Sequence, residues 1–434
     1  MNFKLTNISA LQLFQLIRFG AFILIGIVFT KTNLTTQTIG EYEQFLFLAG
    51  GVSFFWLNGL IRGILPLAKN DQQVNHIRFF NAFVLLSFFT AICVVLLALL
   101  AQPVSEKLLN TGHVDYLWLL LLYLFLSVPS NLVEYLFLIR NESKKIVWYG
   151  IISFLLMVLL VVTPPVFGFE IKYSLFGLVF FSACRYLYLW RLLVKNGPMK
   201  ISVPFMKEHL ALSSPLILSA ILSGSAQYVD GFIVTSHFNE ATFAIFRYGA
   251  RELPLALLLA NAFSNAILPE FNRDNKLEVT LFKIKTESIK LANFLFPLSL
   301  VLLLLSHYLF PIIFNAQFEQ SASIFNIYLL LVVSRLLFPQ TLLIGMKQTS
   351  LIALASFFEL LLNVSFSLWF VHLWGIEGIA YATVIAYLFE KSFLVLMVRK
   401  QLNIPVTKYQ NIFSHLIYSL LLFAVFYLIE FVIY

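Results

Sequence analysis

ATFAIFRYGARELPLALLLANAFSNAIL, residues 241–268, is apolar enough to cross a bilayer, yet it carries two arginines, Arg247 and Arg251. At about 1.5 Å rise per residue, Arg251 lies roughly 15 Å below the start of this segment, near the middle of a hydrocarbon layer about 30 Å thick. A charge at that depth is costly unless another group compensates it. In a continuous helix, a spacing of four residues places both guanidinium groups on one face, where they repel each other. The stretch therefore predicts a transmembrane helix with a face that binds an anion.

The composition extends this interpretation to the whole chain. Of 434 residues, 60% are hydrophobic and only 12% are charged, and the mean hydropathy is +0.89. Soluble domains are about half apolar, so the chain is expected to be an all-α polytopic membrane protein. Thirteen apolar stretches are long enough to span, at residues 9–29, 41–65, 79–101, 116–138, 147–167, 173–194, 210–236, 241–268, 289–314, 322–345, 351–373, 376–398 and 412–432.

The basic residues between these spans predict the orientation. If the N-terminus is cytoplasmic, nineteen lysines and arginines fall in inner connections and three fall in outer ones, Lys31, Lys107 and Lys172. This asymmetry follows the positive-inside rule and supports the span count. The net charge of +8 is then mostly a topology signal, and we expect no nucleic-acid partner. The two cysteines, Cys93 and Cys184, lie in spans, and the histidines lack ligand spacing, so we expect no metal centre.

Short matches between the two halves of the chain indicate an internal repeat. They pair residues 64–66 with 267–269, 138–139 with 343–344, and 168–170 with 375–377. Each pair occupies an equivalent place in the hydropathy profile. Because six spans separate the copies, the repeats are expected to be parallel. The predicted domains are an N-lobe at 1–195 with spans one to six, a cytoplasmic linker at 196–209, a C-lobe at 210–400 with spans seven to twelve, and an extra C-terminal span at 401–434.

Several segments resemble a known family of membrane proteins. They are SP at 214–215, QYVDGFI at 227–233, AIFRYGA at 244–250, GMK at 345–347, NV at 363–364 and WGIEGIAYAT at 374–383. Over roughly residues 9–400 the pattern is similar to Wzx-type oligosaccharide-lipid flippases of the multidrug/oligosaccharidyl-lipid/polysaccharide (MOP) exporter superfamily. The thirteenth span departs from these relatives, which commonly have twelve or fourteen.

The resemblance implies a fold and a function. The fold would be V-shaped and MATE-like, with two six-helix bundles. The protein would flip undecaprenyl-pyrophosphate-linked oligosaccharide from the cytoplasmic to the periplasmic leaflet of the bacterial inner membrane, for surface polysaccharides such as lipopolysaccharide O-antigen. Membrane lipids, a polysaccharide polymerase and chain-length proteins are the further partners that the resemblance suggests.

Arginines within or near spans are the predicted ligands of the diphosphate, because a planar guanidinium forms bidentate, charge-assisted hydrogen bonds. These residues are Arg18, Arg62, Arg247, Arg251 and Arg335. Alternatively, Asp230 and Glu252 neutralise Arg247 and Arg251. In the same way, Arg18 and Arg335 would pair with acidic residues of other spans. Arg62 would extend its side chain to the membrane interface. Arg185, Arg191 and Lys391 lie toward inner helix ends, where we expect interface anchoring.

Acidic residues within spans are candidates for ion coupling. Asp230 is the first choice and Glu359 the second, while Glu134 and Glu390 also lie within spans. A buried carboxyl group can carry a proton or hold Na⁺. The sequence leaves proton coupling, sodium coupling and drive by the membrane potential open, and it predicts no other cofactor.

Three function classes fit a polytopic chain of this kind. A flippase that works by alternating access of a cationic cavity is favoured. A multidrug or cation antiporter on the same fold is the alternative, although such a cavity should favour acidic residues. A membrane polysaccharide polymerase or ligase is disfavoured, because the connections contain no catalytic constellation. We therefore predict a transporter rather than an enzyme.

Overall fold

The computed structural model describes residues 7–67, 72–109, 113–195, 197–251, 254–272 and 277–434. The regular secondary structure of these ranges is helical throughout. The chain forms two compact units. Unit 1 comprises Met1–Gly224 and Thr235–Ala244, and unit 2 comprises Ser225–Val234 and Ile245–Tyr434.

The helices of unit 1 are α1 (Asn7–Thr30), α2 (Thr36–Ile64), α3 (Gln72–Leu99), α4 (Ala101–Lys107), α5 (Leu117–Ser130), α6 (Val133–Ile139), α7 (Ser143–Val166), α8 (Ile171–Lys195) and α9 (Val203–Gly224). Two helices are divided between the units, α10 (Ala226–His237) and α11 (Glu240–Gly249). Those of unit 2 are α12 (Pro254–Ile267), α13 (Leu277–Ile313), α14 (Gln320–Leu329), α15 (Leu331–Arg335), α16 (Pro339–Gly345), α17 (Thr349–Leu402) and α18 (Ile412–Leu428).

Fewer segments qualify as membrane spans than the sequence predicted. Within the described ranges, ten helices are long and apolar enough to cross a membrane, or eleven if the bent pair Gln320–Arg335 and Pro339–Gly345 is one span. Two local features account for the difference between thirteen and eleven, and the bent pair accounts for the difference between eleven and ten. Two predicted spans lie in the single element α17, and the predicted span at 241–268 is divided into α11 and α12. Helices of 10 and 14 residues rise about 15 and 21 Å, too little to cross alone.

The backbone turns inside α17, between the two predicted spans. Trp374 (φ −130°) and Gly375 (φ +59°, ψ −137°) are non-helical, and a positive φ is the conformation that favours glycine. Two contacts join the resulting arms, from Asn363 to Thr383 and from Ser356 to Glu390. Both pairs are centred on residue 373, so the arms at 349–373 and 376–402 run antiparallel.

Local backbone geometry repeats where the sequence repeats. Gly168 (φ +80°) and Gly375 (φ +59°) are both left-handed, as are Asn141 (φ +58°) and Lys347 (φ +59°). The turn at Asn141 closes with Glu142 N donating to Phe137 O at 2.9 Å, and the turn at Lys347 closes with Gln348 N donating to Leu343 O at 2.7 Å. Positions about 206 residues apart therefore have the same turn geometry in the two copies.

The packing of α9 assigns it to unit 1. His209 Nε2 lies 2.7 Å from Leu60 O of α2, and a Cβ atom on Gly59 would overlap Ile217. The predicted C-lobe begins at residue 210, so the predicted lobes and the compact units differ in the placement of this helix. Ahead of α9, Asn81 of α3 fixes the connection by accepting a hydrogen bond from Ser202 N at 2.7 Å.

The C-terminal helix packs on α13 within unit 2. Tyr418 OH donates to Asn293 Oδ1 at 3.0 Å, and the Tyr418 and Phe296 rings stack at 5.1 Å. At the other end, His307 Nε2 lies 2.9 Å from Glu430 Oε1. The predicted extra span at 401–434 is thus an integral part of unit 2.

Gly378 tests the close packing of the two α17 arms. Its absent Cβ leaves room for the carbonyl oxygen of Phe370, which an alanine methyl would overlap. Because a backbone atom cannot move aside cheaply, Gly378→Ala is expected to lower the free energy of unfolding by about 1–3 kcal/mol. Thermal unfolding of the purified protein in detergent measures the loss. Gly20→Ala in α1 is the matched control, since nothing lies within 4 Å of its added methyl; equal effects would contradict the packing.

Candidate functional site

Arg18 and Arg62 are on the first two helices of unit 1. Arg18 is on α1, about 17 Å from either end of that helix, and its side chain is exposed. Arg62 is in the last turn of α2 and is also exposed. The charges of both arginines act on the hydroxyl of Tyr135 in α6. Two of the five predicted anion ligands thus converge on one tyrosine.

A third arginine of unit 1, Arg185, is buried and paired. Its Nη2 lies 3.4 Å from Glu134 Oε2, and the two side chains are only 10% and 2% exposed. Its Nε donates to Tyr149 OH at 2.8 Å, and its guanidinium carbon lies 5.7 Å from the ring centroids of both Tyr149 and Phe181. The prediction that Arg185 anchors at the interface is therefore wrong, because Glu134 already compensates its charge inside the unit.

The remaining predicted ligands lie in unit 2, two of them against aromatic rings. Arg251 lies 4.8 Å from the ring centroid of Tyr248, and Arg335 lies 4.4 Å from that of Tyr387. Arg247 is half-buried in the last turn of α11. Because α11 ends at Gly249, Arg251 follows the helix, and the prediction that it shares a helix face with Arg247 is wrong. The proposed partner Glu252 lies outside the described residues.

Asp230 is bound by hydroxyl groups. The residue is 2% exposed, and its Oδ2 accepts hydrogen bonds from Tyr328 OH at 2.8 Å and Thr383 Oγ1 at 2.6 Å. Asn363 Nδ2 in turn donates to Thr383 Oγ1 at 3.0 Å. In the part of the chain that the structure describes, Asp230 has no arginine partner, so the alternative in which it neutralises Arg247 is wrong.

Several buried oxygen atoms of Asp230 and of the first arm of α17 have unused acceptor capacity. Within the described ranges, Asp230 Oδ1, Asn363 Oδ1 and Ser367 Oγ have no hydrogen-bond partner. No group of three His, Cys, Asp or Glu side chains is placed to hold a metal ion among the residues searched. Carboxylate, amide and hydroxyl oxygens are hard ligands, suited to a proton or a hard cation rather than a transition metal.

The second predicted coupling residue, Glu359, lies in a further charged cluster of unit 2. It is 4% exposed, and it interacts electrostatically with Glu390, Asp230, Arg335 and Lys391. Lys391 Nζ lies 3.2 Å from Glu390 Oε2, and both side chains are buried. Lys391 was expected to anchor at the interface, and that prediction is wrong for the same reason as for Arg185.

These two wrong predictions concern equivalent positions of the repeat. Arg185 and Lys391 are 206 residues apart, and so are their partners Glu134 and Gln340. Lys391 Nζ donates to Gln340 Oε1 at 3.0 Å, as Arg185 contacts Glu134. The acceptor in unit 1 is charged and that in unit 2 is neutral, so Lys391 takes its counter-charge from Glu390.

The sequence did not assign a role to Tyr328, Asn363 or Thr383. Each is a buried polar residue in an otherwise apolar span, and such residues are costly unless they bind one another. Polar residues within apolar spans are therefore the feature of the sequence that could have indicated this cluster. Choosing Asp230 as the shared partner requires the tertiary contact between α10, α14 and the two arms of α17.

Comparison with known protein families identifies the family of the chain. A family model described as polysaccharide biosynthesis protein matches residues 62–323, more than half of the chain. The chain belongs to this polysaccharide biosynthesis protein family. No curated protein matches the sequence significantly.

Solved structures support the MOP fold that the sequence predicted. The lipid II flippase MurJ, in an inward closed conformation, is 18% identical with a TM-score of 0.69, and the match covers 96% of this chain and 93% of that one. An inward-facing multidrug resistance MATE transporter of the MOP superfamily is 14% identical with a TM-score of 0.61 over 93% and 94%. A MOP transporter from Pyrococcus furiosus is 13% identical with a TM-score of 0.57 over 96% and 94%. At these identities the likeness shows the fold alone, which is the multi-pass helical fold of these structures.

Removal of the Glu134 carboxylate tests the buried pair in unit 1. Glu134→Ala leaves the Arg185 charge buried without its carboxylate, so the free energy of unfolding should fall by about 3–5 kcal/mol. Glu170→Ala is the control, because Glu170 is 72% exposed and its pair with Lys172 is worth less than about 1 kcal/mol. Chemical denaturation followed by tryptophan fluorescence measures both, and a small effect at Glu134 would contradict a buried ion pair.

Proposed function

We propose that the protein flips a polyprenyl-pyrophosphate-linked oligosaccharide from the cytoplasmic to the periplasmic leaflet for surface polysaccharide synthesis. The observation that carries this proposal is the exposed guanidinium of Arg18 at the centre of α1. Arg18 lies about 17 Å from either end of the helix. At that depth, a guanidinium group that faces hydrocarbon has a high free-energy cost. We therefore infer that the side chain faces water rather than lipid, where a polar cargo can reach it.

The chemistry of that cargo matches the residues in unit 1. A diphosphate carries two or more negative charges and planar arrays of oxygen acceptors, which guanidinium groups bind in bidentate fashion. Arg18 and Arg62 supply two such groups on adjacent helices, and the Tyr135 hydroxyl beside them can donate a further hydrogen bond. Arg247, Arg251 and Arg335 are the proposed counterparts in unit 2.

The known relatives support the same cargo class. Membership of the polysaccharide biosynthesis family fits a glycan cargo, and the similar fold of MurJ is that of a lipid II flippase. On the proposed function, the cargo is linked to undecaprenyl pyrophosphate and the protein resides in the bacterial inner membrane with its N-terminus in the cytoplasm. A polysaccharide polymerase and chain-length proteins are the proposed partners that receive or regulate the product.

Asp230 is the proposed coupling group of the transport cycle. Its buried carboxylate accepts hydrogen bonds from two hydroxyl groups, and in the described residues its own Oδ1 and the Oδ1 of Asn363 have unused acceptor capacity. Either Na⁺ or a proton fits that surrounding. Binding of the ion would neutralise Asp230 and stabilise the arrangement of α10, α14 and α17 around it.

Arg18 tests the cargo. Proteoliposomes that contain a fluorescent undecaprenyl-pyrophosphate oligosaccharide report flipping as loss of fluorescence to an external quencher. Arg18→Ala is expected to reduce the initial rate by at least tenfold, and Arg18→Lys should recover part of it, because lysine keeps the charge without the bidentate fork. The same pair of substitutions at Arg251 extends the test to unit 2.

Arg191→Ala is the matched control for Arg18, since Arg191 is exposed in the last turns of α8 and is expected to anchor at the interface. Its flipping rate should equal that of the wild type at matched reconstitution. A wild-type rate with Arg18→Ala would overturn the proposed role of this residue in cargo binding.

Asp230→Asn tests the coupling. The amide keeps the size of the side chain and removes its charge. Flipping by the wild type is expected to accelerate at least threefold under a Na⁺ or a proton gradient, applied one at a time, and the variant should lose that response. A full gradient response in the variant would contradict coupling through Asp230.

A cation antiporter on the same fold is the second candidate. The specific observation in its favour is the buried acidic cluster of Asp230, Glu359 and Glu390 in unit 2. If that function is correct, the reconstituted protein exports a cationic dye under an ion gradient and leaves pyrophosphate-linked glycans in place. The same proteoliposomes therefore decide between the two candidates.

A further inference from the structure

Glu359 is a buried carboxyl group that lacks a full set of hydrogen-bond donors. It lies on the first arm of α17, one turn before Asn363, and is 4% exposed. Its Oε1 has no hydrogen-bond partner in the described ranges. The antiparallel register of the arms, centred on residue 373, places Tyr387 opposite it. A carboxylate in such a place is costly, because a buried charge needs both a counter-charge and hydrogen bonds.

The charges around Glu359 come from several elements. Glu390 and Lys391 are on the second arm of α17, Arg335 is on α15 and Asp230 is on α10, and all four interact electrostatically with Glu359. The cluster therefore contains three acids and two bases. If all five groups are ionised, one negative charge is in excess.

Both bases contact groups other than Glu359. Lys391 Nζ lies 3.2 Å from Glu390 Oε2 and donates to Gln340 Oε1 at 3.0 Å. The guanidinium of Arg335 lies 4.4 Å from the ring centroid of Tyr387. Both bases are near Glu359, yet neither provides a donor for its Oε1.

The other two acids have donors. Asp230 accepts from two hydroxyl groups, and Glu390 has Lys391 and the Ser356 hydroxyl, which donates to its Oε1 at 3.4 Å. Asp230 and Glu390 each accept a hydrogen bond from a hydroxyl group, whereas no donor reaches Glu359 Oε1 in the described ranges. A single proton on Glu359 removes the excess charge and the unsatisfied carboxylate together.

We propose that Glu359 is a proton-binding site, separate from Asp230 and held beside the Lys391–Glu390 pair. Binding forms an O–H bond on the Glu359 carboxyl group, and the proton comes from water. When the proton leaves, the Lys391 ammonium group can turn from Glu390 toward Glu359 and compensate the new negative charge. The use of this proton as a second coupling group rests on the proposed function, whereas its binding does not.

Infrared spectroscopy tests the site directly. The full-length protein, reconstituted in lipid, is titrated over a broad pH range while the carbonyl stretch of protonated carboxyl groups is recorded. The wild type is expected to show a band that disappears as pH rises, at a frequency typical of a weakly hydrogen-bonded acid. Glu359→Gln should abolish that band. Glutamine has the shape of the protonated acid, so the variant is expected to fold, as its thermal unfolding will show.

Control variants exclude other carboxyl groups. Asp230→Asn and Glu134→Gln should retain the band. A band that survives in Glu359→Gln, or one that is lost in Asp230→Asn instead, would overturn the proposal.

A second variant gives an independent test without changing Glu359. Lys391→Met removes one of the two positive charges that act on Glu359. Both stabilise its ionised form, so the band should persist to higher pH by at least one unit. An unchanged midpoint would overturn the proposal. Flipping is not part of these measurements, so a failure here leaves the proposed cargo standing, and a failure of the flipping assay leaves the proton site standing.

Discussion

The cost of an uncompensated charge in a low-dielectric interior governs the arrangement of both units. Every ionised group that is taken out of water needs a counter-charge, a set of hydrogen bonds or access to a wet cavity. Arg185 has a carboxylate and a tyrosine hydroxyl, and Lys391 has a carboxylate and an amide. Among the residues that the structure describes, no such partner lies at hydrogen-bond distance from Arg18, and its side chain is exposed. This contrast with Arg185 and Lys391 is the reason why Arg18 is the proposed ligand for cargo.

Comparison of the two repeats shows how one scaffold supports different polar chemistry. Positions 134 and 185 form a complete ion pair in unit 1, whereas the equivalent positions 340 and 391 combine an amide with a lysine. The missing carboxylate is replaced by Glu390, the neighbour of Lys391 in sequence. Unit 1 thus contains a balanced buried pair beside its exposed arginines, and unit 2 contains an acid-rich cluster. The proposed anion-binding role of unit 1 and the proposed ion-binding role of unit 2 match this difference in charge.

Much of the fold was predictable from the sequence, because bilayer thickness sets the length of each apolar stretch and turn residues recur at equivalent places. The repeat at 168–170 and 375–377 is a match of only three residues in the sequence. Gly168 and Gly375 both have a positive φ, so the two segments turn at the same position. The span at 241–268 was harder, since hydropathy does not show that α11 ends at Gly249. That break is also why the shared helix face of Arg247 and Arg251 was wrong.

The partners of buried charges were not predictable from one sequence. Arg185 and Lys391 looked like interface anchors because distance from a helix end was the only available measure. Their pairing depends on which faces of α6, α8, α16 and α17 meet. Asp230 was identified correctly as a buried acid, but its donors Tyr328 and Thr383 lie 98 and 153 residues further along the chain. Contacts of that range come from tertiary packing, which periodicity does not encode.

The turn at Trp374 and Gly375 also bears on how the protein enters the membrane during synthesis. The first arm of α17 carries Glu359 and Asn363, and the second carries Thr383, Glu390 and Lys391. Either arm alone would expose these polar groups to lipid, whereas together they satisfy several of them across one interface. A tight turn that brings the second arm alongside as soon as it is made lets the two arms leave the translocation machinery as one helical hairpin.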